Sequence, residues 1–175
     1  MKRIRKILFS VLVLGVAWLV PAIAAAQQDV ADLGAFKDWK AQTFTEKGKI
    51  VCTMWSEPTE SAGEYKKRGP VYIFVTHRPY ANRIDEISIN IGYTFKKAAP
   101  VGVSIGSREY ALFSGGDTAW TRTSKEDRRL VRAMRAGSNL TISGISSRGT
   151  KTTDTFSLSG FTAAYNTITK ACKAR

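Results

Sequence analysis

His77 is the only histidine among the 175 residues of this chain, and histidine is the side chain whose ordinary titration range suits proton transfer near neutral pH. It ends the run VYIFVTH, on the same strand face as Val71, Ile73 and Val75. Members of a Ser-His-Asp arrangement meet in space and not in sequence, so His77 stays open as a general base. No G-x-S-x-G elbow or comparable nucleophile motif accompanies it. One histidine and two cysteines are too few to ligate zinc, and the acidic residues are scattered apart from Asp85-Glu86 and Glu126-Asp127. The glycine clusters Gly102 to Gly106 and Gly115-Gly116 lack the pattern and context of a phosphate loop or a dinucleotide fingerprint. Catalytic residues, cofactor and metal are therefore all expected to be absent, with a structural or turn-capping His77.

The other residues with chemistry to offer are basic. The chain carries a net charge of +13, with clusters at Lys66-Lys67-Arg68, Lys96-Lys97 and the run Arg128, Arg129, Arg132, Arg135. Arg128, Arg132 and Arg135 are spaced 4 and 3, which places them on one helical face. Such a face attracts anionic partners over long range and is screened by salt. The plainer alternative is a solvated basic surface with no partner.

Which partners are available depends on compartment. Lys2, Arg3, Arg5 and Lys6 form a positive lead, Ile7 to Val20 an apolar stretch of 14 residues, and Ala24-Ala25-Ala26 a small-residue cleavage site. Fourteen apolar residues before Pro21 fall short of the roughly 20 that a spanning helix needs. Residues 1–26 thus read as a secretory signal cleaved after Ala26, and no later segment is apolar enough to span a membrane. Removing them takes away four basic and no acidic groups, leaving 23 Lys+Arg against 14 Asp+Glu, a net charge of +9. Residues 27–175 are then a single exported domain, periplasmic or envelope-associated or released. Anionic envelope components such as lipopolysaccharide, phospholipid headgroups or sulfated sugars become the expected partners, with another protein as the alternative; nucleic acid is disfavoured. In that oxidising setting Cys52 and Cys172 are expected to pair. Ile50, Cys52 and Met54 share a strand face, and Phe161, Ala164, Tyr165, Ile168 and Cys172 share a helical stripe, so both sulfurs point to the core. Two buried free thiols are the alternative.

The elements that would position these residues are mostly strands. Phe36 to Thr45 and Lys49 to Ser56 read as a first strand pair, with Phe36, Trp39, Phe44 and Trp55 available for a core. A polar loop runs from Glu57 to Pro70. Val71 to Arg78, Ile84 to Ile91, Val101 to Ile105, Tyr110 to Ser114 and Thr118 to Thr121 alternate with period two, separated by turn residues. The period changes to 3.6 between Ser124, paired with Asp127 as a capping start, and the stop at Gly137. A final hairpin, Asn139 to Ser147 with Lys151 to Leu158, precedes a closing helix near 160–172. About eight short strands and two helices predict a mainly β, antiparallel sandwich.

The segments VCTMWSEP, KRGPVYIFVTHRP, IGYTFKK, LFSGGDTAW, LVRAMRAGSNLTISG and SSRGTKTTDTFSLSGFTAAYNTITKAC together resemble the invasion associated locus B family of exported Gram-negative proteins. The similarity extends from about Phe36 to Cys172. It implies an immunoglobulin-like β-sandwich, named for a role in host-cell invasion and without established catalytic activity. Many members resemble one another in extra cysteines in the first strand region and near the segment here written GGDTAW, neighbourhoods in which this chain has Thr43 and Trp120 and no cysteine, which places it in a cysteine-poor branch. The combined expectation is a non-enzymatic exported binding module; the enzymatic alternative is a small periplasmic hydrolase using His77.

Overall fold

Alternating residues build almost everything in this structure, a computed structural model that describes residues 29–174. The signal-peptide reading of residues 1–26 falls outside the described residues. Eleven strands form: β1 (Ala31–Phe36), β2 (Trp39–Glu46), β3 (Lys49–Ser56), β4 (Glu60–Ala62), β5 (Tyr72–Arg78), β6 (Arg83–Asn90), β7 (Val101–Ile105), β8 (Arg108–Gly115), β9 (Thr118–Trp120), β10 (Asn139–Ile145) and β11 (Lys151–Ser157). Among the described residues two α-helices, α1 (Ser124–Ala136) and α2 (Phe161–Ala171), complete them. The chain is mainly β, and all its strand pairs are antiparallel.

The strands join in one ladder, ordered β1-β2-β3-β5-β6-β9-β8-β7-β10-β11-β4. An immunoglobulin-like sandwich has two separate sheets; here the ladder is unbroken, because β8 pairs with β7 through Arg108 to Leu112 and with β9 through Phe113 to Gly115. The ladder curls back on itself. Only Glu57, Pro58 and Thr59 lie between β3 and β4, a reach of about 15 Å, yet β3 stands third and β4 last in the order. Trp39 Nε1 donates to Ser157 O at 3.0 Å, and Asp38 N donates to Ser159 O at 3.3 Å, tying the start of β2 to the end of β11.

The curl encloses one core. Met54, Ile73, Val75 and Ile89 from one half of the ladder meet Val103, Leu140, Ile142 and Phe156 from the other. Leu130 and Met134 of α1 and Phe161 and Ile168 of α2 join the same cluster. Trp39 supplies its edge contact to Phe161, with centroids 4.9 Å apart. Phe44 and Trp55, expected in the core, point the other way: β3 turns Cys52 and Met54 inward, so Trp55 one residue later faces out.

Boundaries differ from expectation in instructive places. Phe36 to Thr45 is two strands, broken by a turn in which Lys37 adopts φ 54°. The Glu57 to Pro70 loop contributes β4, which pairs with β11. The cap of α1 is Thr123, with Glu126 N donating to Thr123 Oγ1 at 3.3 Å and Thr123 N to Glu126 Oε2 at 3.2 Å. Ser124 is the first helical residue, and Asp127 turns inward to accept from Ile87 N at 3.0 Å and Thr121 Oγ1 at 2.8 Å. At the entry to α2, Gly160 has φ 91° and lies so close to β1 that a Cβ would fall 1.8 Å from Phe36 O. Only glycine fits there.

Candidate functional site

The sequence offers two groups, one on the surface and one buried. On α1, Leu130, Val131 and Met134 are buried, which turns the other side of the helix to solvent. Arg128, Arg129, Arg132 and Arg135 are all exposed. With a residue every 100°, Arg128, Arg132 and Arg135 fall within an arc of about 60° and extend over roughly 10 Å of helix. Arg129 departs from that arc and sets its guanidinium 5.5 Å from the Tyr110 ring centroid. Arg135 lies 5.2 Å from the Tyr165 centroid, a contact that holds the side chain while leaving its charge unneutralised. Among the described residues, no ion pair involves any of the four.

Lys66 and Lys67 are exposed as well, but Arg68, grouped with them by sequence, is not part of that surface. Its side chain is 5% exposed and bonds bidentately to the fully buried Asp154, Nη1 to Oδ1 at 2.8 Å and Nη2 to Oδ2 at 2.6 Å. Ser61 Oγ also donates to Asp154 Oδ1 at 2.7 Å, and Arg68 Nε donates to Ile91 O at 2.8 Å. This network fastens the loop between β4 and β5 to β11. Nothing in the run KKR distinguishes a paired arginine from its exposed neighbours.

His77 is fully buried and stands opposite Cys52 across β5 and β3. A bulge in β6 sets Asp85 at φ 67°, and its backbone N–H donates to His77 Nδ1 at 3.1 Å. With Nδ1 accepting, the ring proton sits on Nε2, which faces Thr169 Oγ1 at 3.2 Å. The Thr169 hydroxyl itself donates to Tyr165 O at 2.7 Å. Tyr165 OH donates to Asp85 Oδ1 at 2.7 Å; burial and that bond push the phenol up to about 12. Burial pulls the His77 pKa below its ordinary value, with the Asp85 charge opposing it only in part. The ring is thus neutral and already spends both nitrogens on the protein. A general base needs its free lone pair toward the nucleophile, and Nε2 instead presents a proton to Thr169. The geometry therefore gives the hydrolase alternative no support.

Behind His77, Cys52 and Cys172 are bonded with S–S 2.08 Å and Cα–Cα 5.9 Å. The disulfide joins β3 to the end of α2, as the strand and helix stripes predict.

The profile of the family described as "Invasion associated locus B (IalB) protein" matches residues 39–169. The chain belongs to the IalB family. The same fold is seen in the crystal structure of invasion associated protein B from Bartonella henselae, with a TM-score of 0.53 at 16% identity, covering 85% of this chain and 98% of that one. At that identity the likeness speaks for the fold alone. No curated protein matches the sequence.

The IalB match takes in Cys52, His77, the α1 arginines and both members of the Arg68–Asp154 pair, and stops before Cys172. Among the described residues of this IalB chain, no group of three or more His, Cys, Asp or Glu could hold a metal ion. No helix among them is long and apolar enough to cross a membrane.

Proposed function

We propose that this IalB-family chain is an exported, non-enzymatic envelope protein that binds an anionic partner through Arg128, Arg132 and Arg135. The observation that carries the reading is the face itself: three exposed guanidiniums on one arc of α1, none of them paired with a carboxylate among the described residues. Export rests on the leader-like residues 1–26, and the absence of catalysis rests on the direction of the His77 hydrogen bonds. The partner chemistry is phosphate or sulfate displayed on a surface, for which guanidinium is the best matched side chain. A part in host-cell contact is the further step, suggested by the name of the structural neighbour, invasion associated protein B.

The test is retention of the mature protein on liposomes of anionic phospholipid, on lipopolysaccharide and on heparin. The native chain should bind one or more of these at low salt and elute as salt rises. Arg128→Glu, Arg132→Glu and Arg135→Glu together should abolish retention without lowering thermal stability. Equal retention of native and triple variant, or none by either, removes the anionic reading and leaves a protein partner to be sought by crosslinking in the envelope.

A further inference from the structure

The outward side of the first half of the ladder carries aromatic side chains that the core does not use. Trp55, Phe74, Ser88, Trp120 and Phe113 all face away from the core, and their registers place them in one line: Trp55↔Phe74, Phe74↔Ser88, Ser88↔Trp120 and Trp120↔Phe113. Strands stand about 4.8 Å apart, so this line runs roughly 19 Å across β3, β5, β6, β9 and β8. Phe113 is 40% exposed, and the other four residues are half-buried.

The row is best developed at its β8 end. Trp120 and Phe113 have centroids 5.4 Å apart and planes tilted by only 36°. Gly115 follows Phe113 on the same face of β8, and a Cβ there would sit 3.4 Å from Trp120 Cζ3. The missing side chain leaves room for the indole beside the strand, and Arg122 sets its guanidinium over the Phe113 ring, 5.7 Å from the centroid. This pair lines an open groove of about 940 Å³, whose walls include Arg78, Asn82, Glu86 and Arg122.

Several of the charges in the groove are paired with one another. Arg78 Nε donates to Glu46 at 3.0 Å and Nη1 to Glu86 at 2.6 Å, while Arg83 also pairs with Glu86. Lys47, Arg122 and Asp127 line the groove as well, making four cations against three carboxylates, so a ligand of either sign meets like charge and neither sign is strongly selected. A protein interface has at its centre a contiguous apolar patch depleted of charge. Here Ser88 interrupts the row and ion pairs occupy the adjoining groove. What matches is an uncharged ligand with apolar faces and hydrogen-bonding edges, because an aromatic face carries partial negative charge that attracts C–H groups and a few polar groups fix orientation.

We infer that this groove and row bind an uncharged glycan, an extended chain of pyranose units stacking on Trp120 and Phe113, with hydroxyls reaching the groove wall. The inference is independent of the basic face of α1. It uses residues that the sequence places on strands and, for Trp55, in the core.

The test titrates the mature protein with two neutral hexasaccharides, chitohexaose and cellohexaose, which separate an N-acetylated source from a plain glucan. Binding is read by tryptophan fluorescence and by NMR line broadening of the sugar. At least one should bind at millimolar concentration or below, with an affinity that does not fall as salt rises. Trp120→Ala should weaken it by about tenfold or more, roughly 1.4 kcal/mol, while Trp120→Phe, which keeps a ring, should retain most of it. Phe113→Ala, at an exposed position, tests the same face if Trp120→Ala unfolds the chain. No binding of either sugar, binding indifferent to both alanine variants, or binding lost at high salt would overturn the inference. So would self-association of the chain that the Phe113 and Trp120 variants abolish, since the row would then be an interface between copies.

Discussion

The backbone N–H of Asp85 donates to His77 Nδ1 at 3.1 Å, which fixes the imidazole as a neutral acceptor on one side and a donor to Thr169 on the other. A bulge in β6 makes this bond possible, since Asp85 turns its amide toward β5 only by adopting φ 67°. His77 therefore ties β5, β6 and α2 together beside the disulfide. Its chemistry is spent on holding the fold.

A pH dependence follows from that burial. His77 is pulled below its ordinary value of 6.5 chiefly by desolvation, so the unfolded chain takes up a proton at higher pH than the folded one. Its stabilising effect is complete above pH 6.5 and declines as pH falls through that value, by at most about 1.4 kcal/mol per pH unit. Asp127, raised by burial, acts with the opposite sign and favours the folded state as it protonates. Chemical denaturation at several pH values should show the decline in the native chain and a flatter curve in His77→Gln. An identical slope in both would assign it to other groups.

The Arg68–Asp154 pair makes a second prediction. Both charged ends are buried, so removing one leaves the charge of the other uncompensated despite its remaining hydrogen bond to Ser61 or Ile91, a loss of about 3–5 kcal/mol. Arg68→Met or Asp154→Leu alone should therefore lower the unfolding midpoint strongly. The double variant Arg68→Met with Asp154→Leu should recover much of that loss, because no buried charge is left. Additive losses in the double variant would contradict a coupled pair.

The disulfide closes a segment of 120 residues. Restricting so long a loop in the unfolded chain contributes about 4–5 kcal/mol in the chain-entropy view. A thiol count on unfolded, unreduced protein should find neither Cys52 nor Cys172 free. Cys52→Ala with Cys172→Ala should lower stability by up to that amount while leaving retention on anionic surfaces unchanged.

Much of this architecture was legible in alternation. Val71 to His77 and Ile84 to Ile91 mark β5 and β6 because Val71, Ile73 and Val75, and Ile87, Ile89 and Ile91, each make one apolar face, and the stripe ending at Cys172 marks α2 and its disulfide partner. What escaped has physical reasons. β1 carries no alternating apolar pattern and is held by pairing with β2. β4 has three exposed residues and exists only because β11 offers an edge. The unbroken ladder depends on β8 changing partner between Leu112 and Phe113, which no local pattern encodes. Of the basic residues, helical spacing correctly gathers Arg128, Arg132 and Arg135, but Arg68 reads as surface until Asp154 is placed beneath it. The outward aromatics were visible in principle, since Trp55 is out of phase with Cys52 and Met54.

The most direct measurement on the proposed function is the salt dependence of binding to anionic liposomes, compared between the native mature chain and the Arg128→Glu, Arg132→Glu, Arg135→Glu variant. Between about 0.01 M and 1 M salt the screening length falls from ~30 Å to ~3 Å. The native chain should bind at the low end and be released steeply across that range, and the variant should fail to bind throughout. Salt-independent binding, or binding by the variant equal to that of the native chain, would contradict the assignment of α1 as the anionic-partner face.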